Sequence, residues 1–264
     1  MTILSDLHIY PVKSTAGLRL ERAFVERAGI AFDRRFVVAD SQGHFLTARK
    51  YPSLLRVQAT PTSDGLILGA AGQTDIRLRY REFSQDYRQL RIWEDEVQGQ
   101  RCAPAADRWL GDYLGLECQL LYFGPASSRF TALSPEAPVA FADGYPLLLI
   151  SQGSLDDLAA RTPVPIRMSQ FRPNLVITGC EPYAEDRWQR IRIGRLELAL
   201  VKPCSRCLMV NLDPDTAERH PQQEPLRTLA TYRRGDKGRV YFGQNLVPLG
   251  EGVLEVGMEV EILA

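Results

Sequence analysis

The chain has 264 residues, of which 45% are apolar and 24% are charged, close to the composition of an average globular protein. Lysine plus arginine and aspartate plus glutamate both number 32, so the formal net charge is zero. This composition excludes a wholly disordered or collagen-like chain, and the neutral charge gives no electrostatic reason to expect nucleic acid or an anionic membrane as a partner.

The N-terminus and the cysteines indicate the compartment. The first residues, MTILSDLHIYPVK, lack the basic segment followed by an apolar segment that marks a signal peptide. No apolar run approaches the roughly 20 residues of a membrane helix. Five cysteines, an odd number without a secretion signal, predict free thiols in a reducing environment. We therefore expect a cytoplasmic protein without a membrane partner.

Short apolar runs separated by turn signals predict that the first half of the chain is mainly β. The runs are Ile3–Ile9, Arg35–Asp40, His44–Arg49 and Asp75–Tyr80. The last run alternates apolar residues with arginines, which is typical of a strand with one buried face. The triplet 63–65 (Ser-Asp-Gly) between two β-like runs predicts a hairpin. Many short strands at this spacing are typical of a barrel or sandwich.

One helix interrupts these strands. Residues 104–115 place apolar side chains at helical spacing, with Pro104 suited to the first turn and Gly115 to a C-terminal cap. A strand is predicted at Cys118–Phe123.

The second half alternates strands and helices. Strands are predicted at Pro146–Ile150, Leu175–Thr178, Leu208–Leu212, Val240–Phe242 and Val253–Leu263, and a hairpin at Ile191–Val201. Helices are predicted at Ser154–Arg161, with Ser154 in a capping position, and at Leu226–Arg233, and residues 213–216 (DPDT) predict a turn. The fold class is therefore mostly β with α (α+β).

The segment Lys202–Cys207 (KPCSRC) is predicted to be a loop between two core strands, and it carries two thiols. Three kinds of chemistry are open to it. Zinc is disfavoured, because the other cysteines are isolated and the three histidines are spread along the chain. A redox dithiol is also disfavoured, because the first cysteine of such a pair usually begins a helix. The third is a thiolate ligand to a soft metal, in molybdenum, copper(I) or iron–sulfur chemistry, and Cys204 can instead be a small buried residue.

Three further clusters suggest an anion site. Lys13 and Ser14 follow the first strand in a chain that is poor in lysine, Arg34 precedes another strand, and Arg172 and Asn174 begin a third. Lysine and arginine beside hydroxyl and backbone donors are the groups that bind phosphate. Together with the thiol segment, they indicate a phosphorylated, sulfur-bearing cofactor.

Seven segments in chain order resemble the MOSC-domain proteins, and more closely the YcbX-type proteins and the mitochondrial amidoxime-reducing component. The segments are YPVKS (10–14), DRRF (33–36), FRPN (171–174), KPCSRC (202–207), DPDT (213–216), FGQN (242–245) and VGMEVEIL (256–263). The resemblance covers nearly the whole chain. It implies an N-terminal MOSC β-barrel domain at 1–122 and a MOSC domain with peripheral helices at 123–264.

The resemblance also implies a cofactor and its residues. The family binds the molybdenum cofactor, a pterin with a dithiolene and a terminal phosphate, and one cysteine ligates the metal. Cys207 matches this ligand and would be the catalytic residue. The residues implied to bind the cofactor are Lys13, Ser14, Arg34, Gly144, Tyr145, Arg172, Asn174, Ser205, Arg206, Cys207 and Asn245. Gly144 and Tyr145 differ from the small hydroxyl residues of relatives, and Asn245 replaces a tyrosine.

The function implied by the resemblance is the reduction of small N-hydroxylated compounds, N–OH to N–H. The chain has no C-x4-C-x2-C motif, so we expect no iron–sulfur cluster in it. The electrons would come from a separate donor protein of the ferredoxin or flavoprotein type. The alternative is a non-catalytic carrier of sulfur or of the molybdenum cofactor.

Overall fold

The computed structural model describes residues 1–133 and 135–264. The strands of the first half are β1 (Ile3–Ile9), β2 (Leu18–Leu20), β3 (Arg22–Glu26), β4 (Gly29–Ile30), β5 (Phe36–Ala39), β6 (Gln58–Thr62), β7 (Gly65–Gly69), β8 (Ile76–Arg79), β9 (Tyr87–Ile92), β10 (Asp95–Arg101) and β11 (Gln119–Tyr122). Those of the second half are β12 (Leu147–Ser151), β13 (Leu175–Thr178), β14 (Arg190–Ile193), β15 (Leu196–Arg206), β16 (Val240–Pro248), β17 (Gly252–Glu255) and β18 (Val260–Ile262).

The described residues contain few helices. The α-helices are α1 (Pro104–Leu114), α2 (Gln152–Arg161) and α3 (Leu226–Tyr232). Short 3₁₀ helices lie at Pro52–Arg56, Tyr80–Glu82, Met168–Gln170, Ala184–Arg187, Leu208–Asn211 and Asp236–Gly238. The prediction of a mostly β fold with α is confirmed. Among the helices of the described residues, none has the length and apolar character needed to cross a membrane.

The largest sheet joins both halves of the chain. Its eight strands have the order β18-β14-β15-β16-β12-β13-β1-β2. β1 is antiparallel to β13, and a register shift between Leu4 and Asp6 interrupts its alternation so that Leu4, Leu7 and Ile9 all face the core. The N-terminal strand therefore carries the segment that follows it, which contains Lys13 and Ser14, to the edge of the second-half sheet. The division at residues 122 and 123 stays a prediction.

The first half builds a second core from smaller sheets. One has the order β5-β11-β10-β9 and another β6-β7-β8. Helix α1 packs against them through Ala106, Trp109 and Leu110, and it ends at Gly115 in the left-handed conformation, as the sequence predicts. Strands β9 and β10 form a hairpin whose two-residue turn is Trp93-Glu94.

Two predictions around the thiol segment are wrong. The segment 202–206 is not a loop, because β15 continues to Arg206 and pairs with β16 as far as Val240. Register shifts on either side of Pro203 accommodate a residue that cannot donate a backbone hydrogen bond. The predicted strand at Leu208–Leu212 is a 3₁₀ helix, Leu208–Asn211. A short apolar run fits either element, and periodicity alone does not decide between them.

Two smaller predictions also need correction. His44–Arg49 forms no strand and contributes only isolated bridges at His44 and Phe45. Ser151, and not Ser154, is the N-cap of α2, where its hydroxyl accepts a hydrogen bond from the Ser154 amide at 3.1 Å. The helix thus begins earlier than its apolar periodicity suggests, because buried Ser151 supplies the cap at the end of β12.

Candidate functional site

All eleven residues predicted to bind the cofactor border one cavity. The space between its walls is about 880 Å³, part of which is open to solvent. The walls come from the segments after β1 and before β5, the segment before β12, the start of β13, the end of β15 and the middle of β16. Residues separated by more than 200 positions, such as Lys13 and Asn245, therefore meet at one site. Their role in binding a cofactor stays a prediction.

Lys13 is held at the inner wall. Its side chain is only 6% exposed, and its ammonium donates hydrogen bonds to the Phe141 carbonyl at 2.9 Å and to the Asp143 carboxylate. Burial lowers the pKa of Lys13, and the neighbouring Asp143 charge opposes that shift. The pair fixes the position of a buried cation at the cavity.

Two arginines stack on one buried tyrosine. The guanidinium carbons of Arg172 and Arg34 lie 4.0 Å and 4.3 Å from the centre of the Tyr10 ring. Burial raises the pKa of Tyr10 to about 12 and lowers that of Arg172 to about 10. Arg34 pairs with Asp33 at 2.5 Å, whereas no carboxylate of the described residues forms an ion pair with Arg172. The site thus contains a guanidinium whose charge lacks a counter-ion.

The backbone at these residues is strained. Nine non-glycine residues in the described ranges have positive φ, and three of them are Ser14 (72°), Arg34 (48°) and Arg172 (56°). Left-handed backbone outside glycine costs of order 1 kcal/mol or more, and it is often found at functional sites. The concentration of this conformation among the predicted site residues supports a functional reason for it.

Asn174 has a different environment from the cationic residues. Its Oδ1 accepts from the Leu148 amide at 3.2 Å and from Arg34 at 3.1 Å, and its Nδ2 donates to the His8 carbonyl at 3.1 Å. These bonds join β1, β12 and Arg34. The side chain therefore positions Arg34.

The end of β15 brings two thiols and a guanidinium to the cavity. Cys207 is exposed, and its backbone is extended at the start of the 3₁₀ helix. Arg206 donates to the Cys204 sulfur at 3.1 Å and to the Phe171 carbonyl at 2.6 Å. Its Nε is buried and has no hydrogen-bond partner among the described residues. A buried donor without a partner is costly, so a ligand acceptor at this point would stabilise the site.

The extended backbone weighs against the two alternative kinds of cysteine chemistry. Cys204 and Cys207 are three extended steps apart, which separates their Cα atoms by about 10 Å. A disulfide needs Cα atoms within about 7 Å. No group of three or more His, Cys, Asp or Glu side chains in the described part of the chain could hold a metal ion. A dithiol or zinc site would require the strand to rearrange.

The remaining predicted residues also border the cavity. A Cβ on Gly144 would meet no atom within 4 Å, so the cavity is open there. Tyr145 is half-buried, burial raises its pKa, and the Lys202 ammonium lies 6.0 Å from its ring centre. Asn245 donates to the Lys202 carbonyl at 3.2 Å. Exposed Ser205 completes the set.

Sequence reasoning missed several residues of this site. Asp143 is the ion-pair partner of Lys13, and buried Arg129 donates to the carbonyls of Ala140, Ala142 and Asp143. The cavity is also bordered by Phe45, Thr47, Arg49 and Met209. The run HFLTAR, which contains three of these residues, was available as a signal, because it places an arginine directly after an apolar segment.

Comparison with known proteins identifies relatives over almost the full chain. The MOSC N-terminal beta barrel domain matches residues 1–117, and the MOSC domain matches residues 136–261. Mitochondrial amidoxime-reducing component 1 of Mus musculus is 34% identical, over 98% of this chain and 82% of that protein. The Homo sapiens protein of that name is 33% identical with the same coverage. Mitochondrial amidoxime reducing component 2 of Bos taurus is 34% identical, over 96% of this chain and 80% of that protein.

These matches confirm the family resemblance and correct the predicted location. The expectation of a cytoplasmic protein is wrong, because the relatives are named as mitochondrial proteins. That expectation comes from the lack of a secretory signal pattern and from the free cysteines. All five cysteines are indeed free, but neither feature distinguishes the cytoplasm from the interior of an organelle.

Proposed function

This chain belongs to the amidoxime-reducing-component family of MOSC-domain proteins, and from that premise we propose that it is a molybdenum-cofactor-dependent reductase of N-hydroxylated compounds. An oxidoreductase acting on such compounds is the enzyme class that family membership supports, because the relatives are named for the reduction of amidoximes.

The observation that carries the proposal is a cation-rich cavity with an exposed thiol at its edge. Lys13, Arg34, Arg172 and Arg206 all border it, and Cys207 lies beside Arg206. The two paired carboxylates, Asp33 and Asp143, neutralise only part of this charge. A phosphorylated ligand would supply the missing negative charge through charge-assisted hydrogen bonds.

The donors present fit the molybdenum cofactor. The uncompensated Arg172 and the orphaned Nε of Arg206 would bind phosphate or pterin acceptors. The Tyr10 ring, which both Arg34 and Arg172 cover, gives these two guanidinium groups a rigid support. Cys207 would ligate the metal, since a thiolate is a suitable ligand for a soft centre. When bound, the cofactor supplies the two-electron chemistry that removes oxygen from nitrogen.

Other residues of the chain position the groups that would bind the cofactor. Lys13 holds the segment containing Asp143 against the cavity, and Asn174 fixes Arg34. The overall reaction is R–NHOH + 2 e⁻ + 2 H⁺ → R–NH2 + H2O, and we propose that a separate ferredoxin- or flavoprotein-type donor supplies the electrons.

Metal content and turnover test the proposal together. The chain would be purified from hosts that can and cannot make the molybdenum cofactor, and molybdenum and extractable pterin would be measured in both. We expect both only in the competent host, together with reduction of an amidoxime by an artificial reductant. Molybdenum near zero in both preparations contradicts cofactor binding, whereas bound molybdenum without turnover contradicts the reductase and leaves the carrier.

A further inference from the structure

Arg49 borders the cavity but has no ionic partner. Its Nε lies 3.4 Å from the Thr47 hydroxyl, and its guanidinium carbon lies 4.2 Å from the centre of the Trp93 ring. Within the described residues, no carboxylate forms an ion pair with Arg49, and its two terminal nitrogens have no hydrogen-bond partner. Stacking on an indole fixes the plane of a guanidinium and leaves its paired N–H donors free.

Trp93 is held in a strained conformation next to this arginine. It lies in the two-residue turn between β9 and β10 with φ at +56°, where a bulky residue is a clear outlier. Such turns favour glycine, asparagine or aspartate. The indole N–H donates to Asp143 at 3.1 Å, and the ring packs edge-on against Phe45 at 5.0 Å. The strain is retained because these contacts hold the indole against Arg49 at the edge of the cavity.

The guanidinium of Arg49 makes none of the contacts of the cations predicted to bind the cofactor. It contacts Trp93 and Thr47, and the Arg49 carbonyl accepts a hydrogen bond from Arg219. Trp93 in turn contacts Asp143 and Phe45, both of which Lys13 also contacts, so one indole lies between Arg49 and the surroundings of Lys13. Arg49 therefore adds a preorganised anion-binding fork to the cavity wall. A planar fork of this kind pairs with a carboxylate or a phosphate through two parallel hydrogen bonds.

We propose that Arg49, supported by Trp93, is a specificity-determining residue that binds an anionic group of the substrate. The substrate class is an N-hydroxylated compound that also carries a carboxylate or phosphate group. This inference rests on the proposed reductase function and narrows it.

The test compares matched neutral and anionic substrates. Benzamidoxime, 4-carboxybenzamidoxime and 4-phosphonobenzamidoxime would be reduced by cofactor-loaded wild-type enzyme and by Arg49→Met, which keeps the side-chain stem but removes the fork. We expect KM for the two anionic compounds to rise roughly 10- to 100-fold in the variant, with kcat unchanged, as for loss of a charge-assisted pair. KM for benzamidoxime should stay within about twofold. The larger of the two increases identifies the anion that the site prefers.

Arg88→Met is the matched control, because Arg88 lies in the same hairpin and is exposed. It should change none of the three KM values. An equal rise of KM for neutral and anionic compounds in Arg49→Met would overturn the proposal, and so would a loss of bound molybdenum, which would assign Arg49 to the cofactor.

Product binding separates this inference from the proposed function. Titration calorimetry with 4-amidinobenzoate and benzamidine needs no turnover. Tighter binding of 4-amidinobenzoate that disappears in Arg49→Met supports the anion site even if no amidoxime is reduced. Equal binding of both products to the wild-type protein refutes the anion site even if the reductase activity is present.

Discussion

Replacement of Arg129 by methionine should destabilise the protein and loosen the wall of the cavity. Arg129 is buried, and its side chain is 4% exposed. It donates to the carbonyls of Ala140 at 3.0 Å and Asp143 at 2.9 Å, to the Ala142 carbonyl, and to the half-exposed carboxylate of Asp95. One side chain thus fixes the backbone of the segment that presents Asp143 to Lys13.

The magnitude follows from the groups left without a partner. Each hydrogen bond from a charged donor is worth about 1.5–3 kcal/mol, and a buried carbonyl that loses its donor bears a desolvation penalty. The variant no longer buries a charged guanidinium, and this gain offsets part of the loss. We therefore expect the free energy of unfolding to fall by about 3–5 kcal/mol. For a chain of this length, that corresponds to roughly 6–10 °C in Tm.

Chemical and thermal unfolding measure the effect, with molybdenum content as the functional readout. Arg192→Met is the control, because Arg192 forms an exposed ion pair with Glu261, and exposed pairs contribute little to stability. Arg129→Lys should recover only part of the loss, since an ammonium has three N–H donors for the four acceptors that Arg129 bonds. A loss in the free energy of unfolding of Arg129→Met no larger than that of Arg192→Met would show that the hydrogen bonds of Arg129 are not a source of stability.

Three further predictions address the site and the sheet behind it. Cys207→Ala should abolish N-reduction and leave Tm within about 2 °C, because the thiol is exposed; Cys204→Ala should reduce activity much less, and equal losses would favour a dithiol. Arg172→Met should lower the cofactor content, while the cofactor-free chain should keep or gain stability. Burial lowers the pKa of Arg172 to about 10, which lowers the free energy of unfolding at neutral pH by up to about 3 kcal/mol. A clear loss of stability in the cofactor-free variant would contradict this. Burial lowers the pKa of His8, and the charge of Asp6 opposes this shift. The stability that neutral His8 contributes should therefore be present above its unfolded pKa of 6.5 and decline as the pH falls below that value. Urea titrations of His8→Gln should show a flatter dependence of the free energy of unfolding on pH below 6.5, and an unchanged dependence would exclude His8 as its source.

The sequence predicts elements well where burial and periodicity agree. The strand at Ile3–Ile9, the hairpin around Gly65 and the helix from Pro104 all have clear apolar patterns, and all are present. It fails after Val201, where β15 continues through a proline with the help of register shifts. Pairing with β16 supplies the hydrogen bonds that make this segment a strand, and such tertiary pairing leaves no local pattern in the sequence.

Some residues of the site can be predicted from the sequence and others cannot. Lys13 and Arg172 can be found because a familiar order of short motifs contains them. Asp143 and Arg129 carry no motif, and in an arginine-rich chain nothing local distinguishes a buried arginine from the solvated ones. Their roles arise from contacts between segments far apart in the sequence, and these contacts become visible only in the folded structure.

The strain and the unpaired charge at the site have a common consequence. Ser14, Arg34, Arg172 and Trp93 all have left-handed backbone, and Arg172 and Arg49 have no carboxylate partner among the described residues. Each feature raises the free energy of the empty cavity, and a bound anionic ligand would supply the missing negative charge. A fold selected for stability alone would replace these residues. Their concentration around one cavity supports the two proposals made above, that a cofactor binds near Tyr10 and that Arg49 binds the anionic group of a substrate.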